Sequence, residues 1–70
     1  MAKAEIDNQI RRLRFEHDEM THQELADKVG CTRQTIILLE QRRYTPSLAL
    51  AFRIARTFGR TVDEVFTFEA

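Results

Sequence analysis

The chain has 70 residues, 11 Lys or Arg against 11 Asp or Glu, 43% apolar residues and one cysteine. That length allows a single domain near the lower limit for a core that folds alone, and self-association would stabilise it further. Cys31 alone excludes an intramolecular disulfide, the longest apolar run (residues 36–39) is far too short to span a bilayer, and the opening MAKAEIDNQI lacks a signal-peptide stretch, so a cytoplasmic protein with no membrane partner is expected.

Helix 1 is predicted over residues 8–17, with Ile10 and Leu13 facing inward at i, i+3 spacing, followed by a loop of Asp18, Glu19 and Met20. Thr21, with Glu24 three residues on, has the form of a capping box that opens helix 2 over residues 22–28. Gly30 ends that helix, because the sharp turn wants a backbone conformation costly for any residue with a Cβ. Thr32 caps helix 3 over residues 33–41, and Arg42, Arg43 and Tyr44 form a connector. Thr45 followed by Pro46 signals the next start, since proline at the first helical position has no N–H to leave unsatisfied. Helix 4 is then expected to run to Phe58, with Leu48, Ala51, Ala55 and Phe58 as its apolar stripe, Leu50 and Ile54 widening it, and Gly59 stopping it. Thr61 and Glu64 make a second capping box for a short helix 5 reaching about Phe66, after which the sequence FTFE alternates like an edge strand. The expected fold is one all-α domain spanning residues 1–70, with five helices and a small terminal strand pair as an option.

The window HQELADKVGCTRQTIILLEQ, residues 22–41, carries the most information. Its apolar positions are Leu25, Val29, Cys31, Ile36 and Leu39, Ala26 sits where two helices would cross closely, and Gly30 separates two helical patterns. That is the sequence form of a helix-turn-helix, whose second helix can enter the DNA major groove. The charge distribution agrees. Residues 31–60 hold six arginines (33, 42, 43, 53, 56, 60) against Glu40, a net +5, while the remaining residues hold five Lys or Arg against ten Asp or Glu, a net −5. A basic middle between acidic flanks is an electrostatic footprint that the zero total conceals.

With Ile36 and Leu39 anchoring the inner side of helix 3, its outer side offers Arg33, Gln34, Ile37 and Leu38. Arg can pair bidentately with guanine, Gln with adenine, and Ile37 can touch a thymine methyl. Gln34 leads the expected base readers, followed by Arg33, which near a helix start could instead hold a phosphate. His22, Thr32, Thr35, Arg42 and Arg43 lie where they would contact phosphates, helped by the positive ends of helices 2 and 3. Plainer readings stand beside these: Thr32 as a cap, Arg42 and Arg43 as solvated loop charges, and Ile37 with Leu38 packing on a protein. Cys31 reads as a small buried apolar residue. His17 and His22 match no strong metal-ligand spacing, and no phosphate loop, carboxylate pair or triad stands in a recognisable context, so neither enzyme, cofactor nor metal is expected.

The segments IRRLRFE, MTHQELADKVGCTRQTI, YTPSLALAFRIARTFG and TVDEVF together resemble the phage-repressor and Cro-type helix-turn-helix family, over nearly the whole chain. The likeness is strongest to its short stand-alone bacterial and archaeal members, which include a cytolysin repressor. The resemblance implies base readers at Arg33, Gln34 and Ile37, and phosphate contacts at His22, Thr32, Thr35 and Arg43. It implies a structural ion pair between Arg14 and Glu40. It also implies a two-fold homodimer around the start of helix 5, through Val62 and Phe66 joined by Thr45 and Phe58, with ordinary intramolecular packing as the alternative for Val62 and Phe66. Segments matching residues 5–7 and 67–69 pair as short strands in such relatives. Three positions depart from the family pattern. His22 stands where Gln is usual, and protonation would strengthen phosphate binding below about pH 6.5. Arg42 stands where Gly or Asn usually follows helix 3, adding a phosphate contact or straining the cap. Ile37 and Leu38 make the reading surface more apolar than usual.

The expected function is sequence-specific binding of double-stranded DNA by a homodimeric transcriptional regulator, a repressor that occupies an inverted-repeat operator. Its recognition helices would stand about 34 Å apart, one helical turn of DNA. The rival is a protein-interaction module on the same fold, an antitoxin or anti-repressor with an unknown protein partner.

Overall fold

The structure, a computed structural model, describes residues 6–68. Its elements run β1 (Ile6–Asn8), α1 (Ile10–Glu16), α2 (His22–Val29), α3 (Arg33–Glu40), α4 (Leu48–Thr57), α5 (Val62–Val65) and β2 (Phe66–Phe68). Five helices and one antiparallel strand pair match the expected fold; the register sets Ile6 opposite Phe68, Asp7 opposite Thr67 and Asn8 opposite Phe66, so each strand reaches one residue further toward the helices than the segments expected to pair. Glu5 and Glu69, also expected in those strands, lie outside the described residues. None of the helices among the described residues is long and apolar enough to cross a membrane.

One apolar face from each helix builds the core. Ile10 and Leu13 of α1, Leu25, Ala26 and Val29 of α2, and Ile36 and Leu39 of α3 are buried. Leu50, Ala51, Ile54 and Ala55 of α4 meet them, with Phe58, Val65 and Phe66 closing the far side. Cys31 packs against this core from its edge; burial pushes its thiol pKa up, with Arg53 opposing the effect. The thiol is therefore protonated at neutral pH and acts as a small apolar side chain.

Local chemistry explains most boundaries. At the start of α2 the Thr21 hydroxyl accepts the Glu24 N–H at 3.0 Å while the Glu24 carboxylate accepts the Thr21 N–H at 2.8 Å. At the start of α5 Glu64 likewise accepts the Thr61 N–H at 2.8 Å, while the Thr61 hydroxyl donates to the Asp63 carboxylate at 2.7 Å. Gly30 sits at φ +75° with nothing within 4 Å of where a Cβ would stand, so conformation, not crowding, asks for glycine there.

The ends of α1 to α4 fall one residue from expectation, at Glu16, Val29, Glu40 and Thr57, and three further boundaries differ for a visible local reason. Helix α1 starts at Ile10 because Asn8 belongs to β1, and the Asn8 carboxamide accepts the Ile10 N–H at 3.1 Å. Helix α4 starts two residues late. Ser47, not Thr45, is its cap, and its hydroxyl accepts the Leu50 N–H at 3.1 Å; Pro46 precedes the cap instead of opening the helix. Leu48 thereby becomes the first helical residue and is 72% exposed, outside the stripe it was expected to join, which begins at Leu50. Helix α5 stops at Val65 because Phe66 turns to extended backbone and enters β2.

The cap at Ser47 is separable from the proline signal. Ser47→Ala should cost about 1 kcal/mol of folding stability in urea melts, with an unchanged dependence on denaturant. A helix opened by Pro46 would leave that substitution nearly neutral.

Candidate nucleic-acid interface

Helices α2 and α3 bring two capped N-termini to one side of the domain. Thr32 is in part a cap: its hydroxyl accepts the Thr35 N–H at 3.2 Å and lies 3.0 Å from the Thr35 hydroxyl. Thr32 itself remains exposed and Thr35 half-exposed, so both hydroxyls retain capacity for a ligand beyond the cap. Along α3, Arg33 and Gln34 project into solvent, while Ile37 and Leu38 are half-buried. Ile37 lines a cleft of about 440 Å³ together with Arg11, His22 and Gln41, so this apolar side chain stands among polar ones.

Beneath this surface lies a charged cluster. Arg14 Nε donates to Glu40 Oε2 at 2.6 Å and its Nη2 donates to Oε1 at 3.2 Å, while Nη1 donates to the Met20 carbonyl at 2.6 Å. Both carboxylate oxygens of Glu40 are thus engaged by the guanidinium fork, the geometry that favours Arg over Lys. His22, placed by the start of α2, turns its Nε2 inward to 3.1 Å from both Glu40 Oε1 and Arg14 Nη2. In the Nε2–H form the ring donates to Glu40; in the Nδ1–H form Nε2 accepts from Arg14. Among the described residues Nδ1 has no partner, and the side chain is 30% exposed, so one nitrogen is tied to the ion pair and the other is available to a ligand.

Burial alone would raise the Glu40 pKa, but hydrogen bonds from Arg14 and then His22, with their charges, outweigh it and hold the carboxyl below the usual range. A carboxylate with a depressed folded-state pKa contributes stability that is complete above its unfolded value, about 4.3, and fades as pH falls through the folded value.

The two connector arginines part company. Arg42 takes the left-handed conformation, φ 60°, at the end of α3, which a residue with a Cβ adopts at a cost of roughly 1 kcal/mol. Its Nε lies 3.9 Å from Asp7 Oδ1 on β1, so the side chain is drawn toward the strand pair. Arg43 is exposed. Of the residues expected in a dimer face, Thr45 is exposed and Val62 half-exposed, whereas Phe58 and Phe66 are 4% and 8% exposed within the domain's own core. His17 packs edge-on against Phe58, with ring centroids 5.1 Å apart. Among the described residues no three His, Cys, Asp or Glu side chains gather in a way that could hold a metal ion.

Two contributors escaped the sequence reading. Asn8 donates from Nδ2 to the Leu39 carbonyl at 2.8 Å, tying β1 to the last turn of α3. Arg11 stands by His22, on the side of α1 that faces α2 and α3. Its spacing of three from Arg14 on one helix was the available signal.

A family model described as helix-turn-helix matches residues 10–65. The chain belongs to the Cro-type helix-turn-helix family. Similar family members include an uncharacterized HTH-type transcriptional regulator of Archaeoglobus fulgidus, 47% identical over 60 residues, 86% of this chain and 84% of that protein. One from Methanocaldococcus jannaschii is 44% identical over 62 residues, 89% of this chain and 92% of its own length. Another, from Methanothermobacter thermautotrophicus, is 58% identical over 48 residues, covering 67% of this chain and 70% of that one. Within the helix-turn-helix match, Gly30 and the caps of α2 and α3 set the angle between the two motif helices.

Glu40→Gln should lower stability at pH 7 by about 2–4 kcal/mol, between the values for exposed and fully buried pairs. The difference from the unsubstituted protein should shrink as pH falls from about 5 toward 3, read by urea melts across that interval. A pH-independent difference would mean that the loss comes from packing and not from the carboxylate's charge.

Proposed function

We propose that this chain is a sequence-specific DNA-binding transcriptional regulator that places α3 in the major groove and represses by occupying an operator. The observation that carries the reading is the exposed pair Arg33 and Gln34 on α3, flanked by the capped starts of α2 and α3. The relatives' names, HTH-type transcriptional regulators, support it. In this reading Gln34 and Arg33 read base edges and Ile37 meets a thymine methyl. His22, Thr32, Thr35, Arg42 and Arg43 hold phosphates, which fix register without reading sequence.

The protein acts as a homodimer whose two-fold face centres on Val62 and Thr45. Phe58 and Phe66 support that face from beneath, since they are packed inside the domain. Two recognition helices related in this way require an inverted repeat with half-sites about 34 Å apart.

A protein-interaction module is the second reading, favoured by the apolar Ile37 and Leu38 on α3. Ile37's position among Arg11, His22 and Gln41 favours a polyanion over an apolar partner. Selection of bound duplexes from a random pool, then titration of the winner at two salt concentrations, separates the readings. An enriched inverted repeat with salt-weakened affinity is expected, because log K falls linearly with log salt when phosphates are held. A failure to bind any duplex at low salt would select the protein-interaction reading.

Two substitutions test the residues. Gln34→Ala should relax base preference at one position in each half-site, a discrimination of about 1–3 kcal/mol, while other positions keep theirs. Val62→Asp should give monomers in sedimentation with weakened operator binding; dimers that persist would place the interface elsewhere.

A further inference from the structure

We infer that the nucleic-acid surface continues beyond the helix-turn-helix onto α1, where Arg11 holds a backbone phosphate beside His22. This rests on the DNA-binding reading and extends it to a residue outside the motif. Arg11 lines two clefts that meet at His22. One, of about 430 Å³, runs past His22, Gln23 and Arg33 at the starts of α2 and α3. The other, of about 440 Å³, runs past His22, Ile37 and Gln41 along the outer side of α3. Arg11 therefore borders both the starts of α2 and α3 and the outer side of α3.

Its neighbours on α1 are differently employed. Arg14 is committed to Glu40 and the Met20 carbonyl, and Arg12 lies 3.7 Å from Glu16 one turn on. Arg11 is exposed and makes neither an ion pair nor a side-chain hydrogen bond among the described residues. An unpaired, solvated guanidinium offers a planar fork of donors to a phosphate without first breaking an internal contact. Its charge also acts alongside Arg33, which lines the same cleft, and a backbone anion seated there would relieve the repulsion between them. A phosphate seated there would have His22 from α2, Arg11 from α1 and Arg33 from α3 among the residues that line its cleft.

The test is a salt titration of the selected duplex with the full chain and its Arg11→Ala, Arg11→Lys and Arg12→Ala variants. Arg11→Ala should weaken binding about tenfold per half-site at low salt. It should also flatten the slope of log K against log salt by about 0.9 per half-site, with base preference unchanged. Arg11→Lys should recover most of the slope, because a point charge still displaces counterions. Arg12→Ala should keep it. Equal slopes for Arg11→Ala and the unsubstituted chain overturn the inference while leaving the DNA-binding reading intact. So does an equal loss for Arg12→Ala, which would mark a mere change in net charge. If the unsubstituted chain binds no duplex, both the inference and the reading beneath it fall. Unchanged thermal melts of the variants confirm that folding is not being measured.

Discussion

The carboxylate of Glu40 closes the last turn of α3 with the Arg14 guanidinium at 2.6 Å and the His22 ring at 3.1 Å, so three helices converge on one sheltered charge. The apolar core beneath them is non-directional and would tolerate small rotations of α3 about its own axis. A bidentate ion pair does not tolerate them. Removing either partner leaves the other desolvated and unpaired, which costs more than the pair is worth when intact. The rotation of α3, and with it the direction in which Arg33 and Gln34 point, therefore depends on electrostatic geometry laid over hydrophobic packing. The same contact holds His22 with one ring nitrogen facing inward, making the start of α2 part of the same assembly.

The other end of α3 is held by the strand pair. Asn8 joins the Leu39 carbonyl, which also accepts the Arg42 N–H at 3.0 Å, to the first N–H of α1, satisfying a donor left open at a helix start. Asp7, one residue earlier, faces Arg42 in its left-handed turn. A backbone position better suited to glycine is thus occupied by a side chain that reaches the strand. The two short strands add little hydrophobic area, but they secure the end of α3.

The parts of the fold legible in the sequence were those set by local rules. Thr21 with Glu24 and Thr61 with Glu64 announce helix starts through contacts three residues apart, and Gly30 announces a turn through a conformation nearly its own. The start of α4 was misplaced because proline and serine each supply a start signal, and only the path of the chain decides between them. Asn8 looked like the opening of a helix because polar residues at helix starts and strand ends are similar; its partner lies 31 residues away. At the candidate interface, the exposed residues of α3 followed from helical periodicity once Ile36 and Leu39 were assigned inward. The position of Arg11 beside His22 did not, since it depends on how α1 crosses the other two helices. Phe58 and Phe66 show the converse difficulty. Apolar periodicity marks a buried face but does not say whether this chain or another covers it.

Because Ile6 pairs with Phe68, the described chain enters and leaves the domain at the same place, a few ångströms apart across one antiparallel ladder. Such a domain is topologically a plug. It can be inserted into a surface loop of another protein, or joined head to tail with a second copy, without its ends having to travel around the body. The strand pair is then a clamp at the junction, so strain imposed through a fused partner would be felt first at Asp7 and Asn8. Through their contacts with Arg42 and Leu39 it would reach the tail of α3 before it disturbed the core.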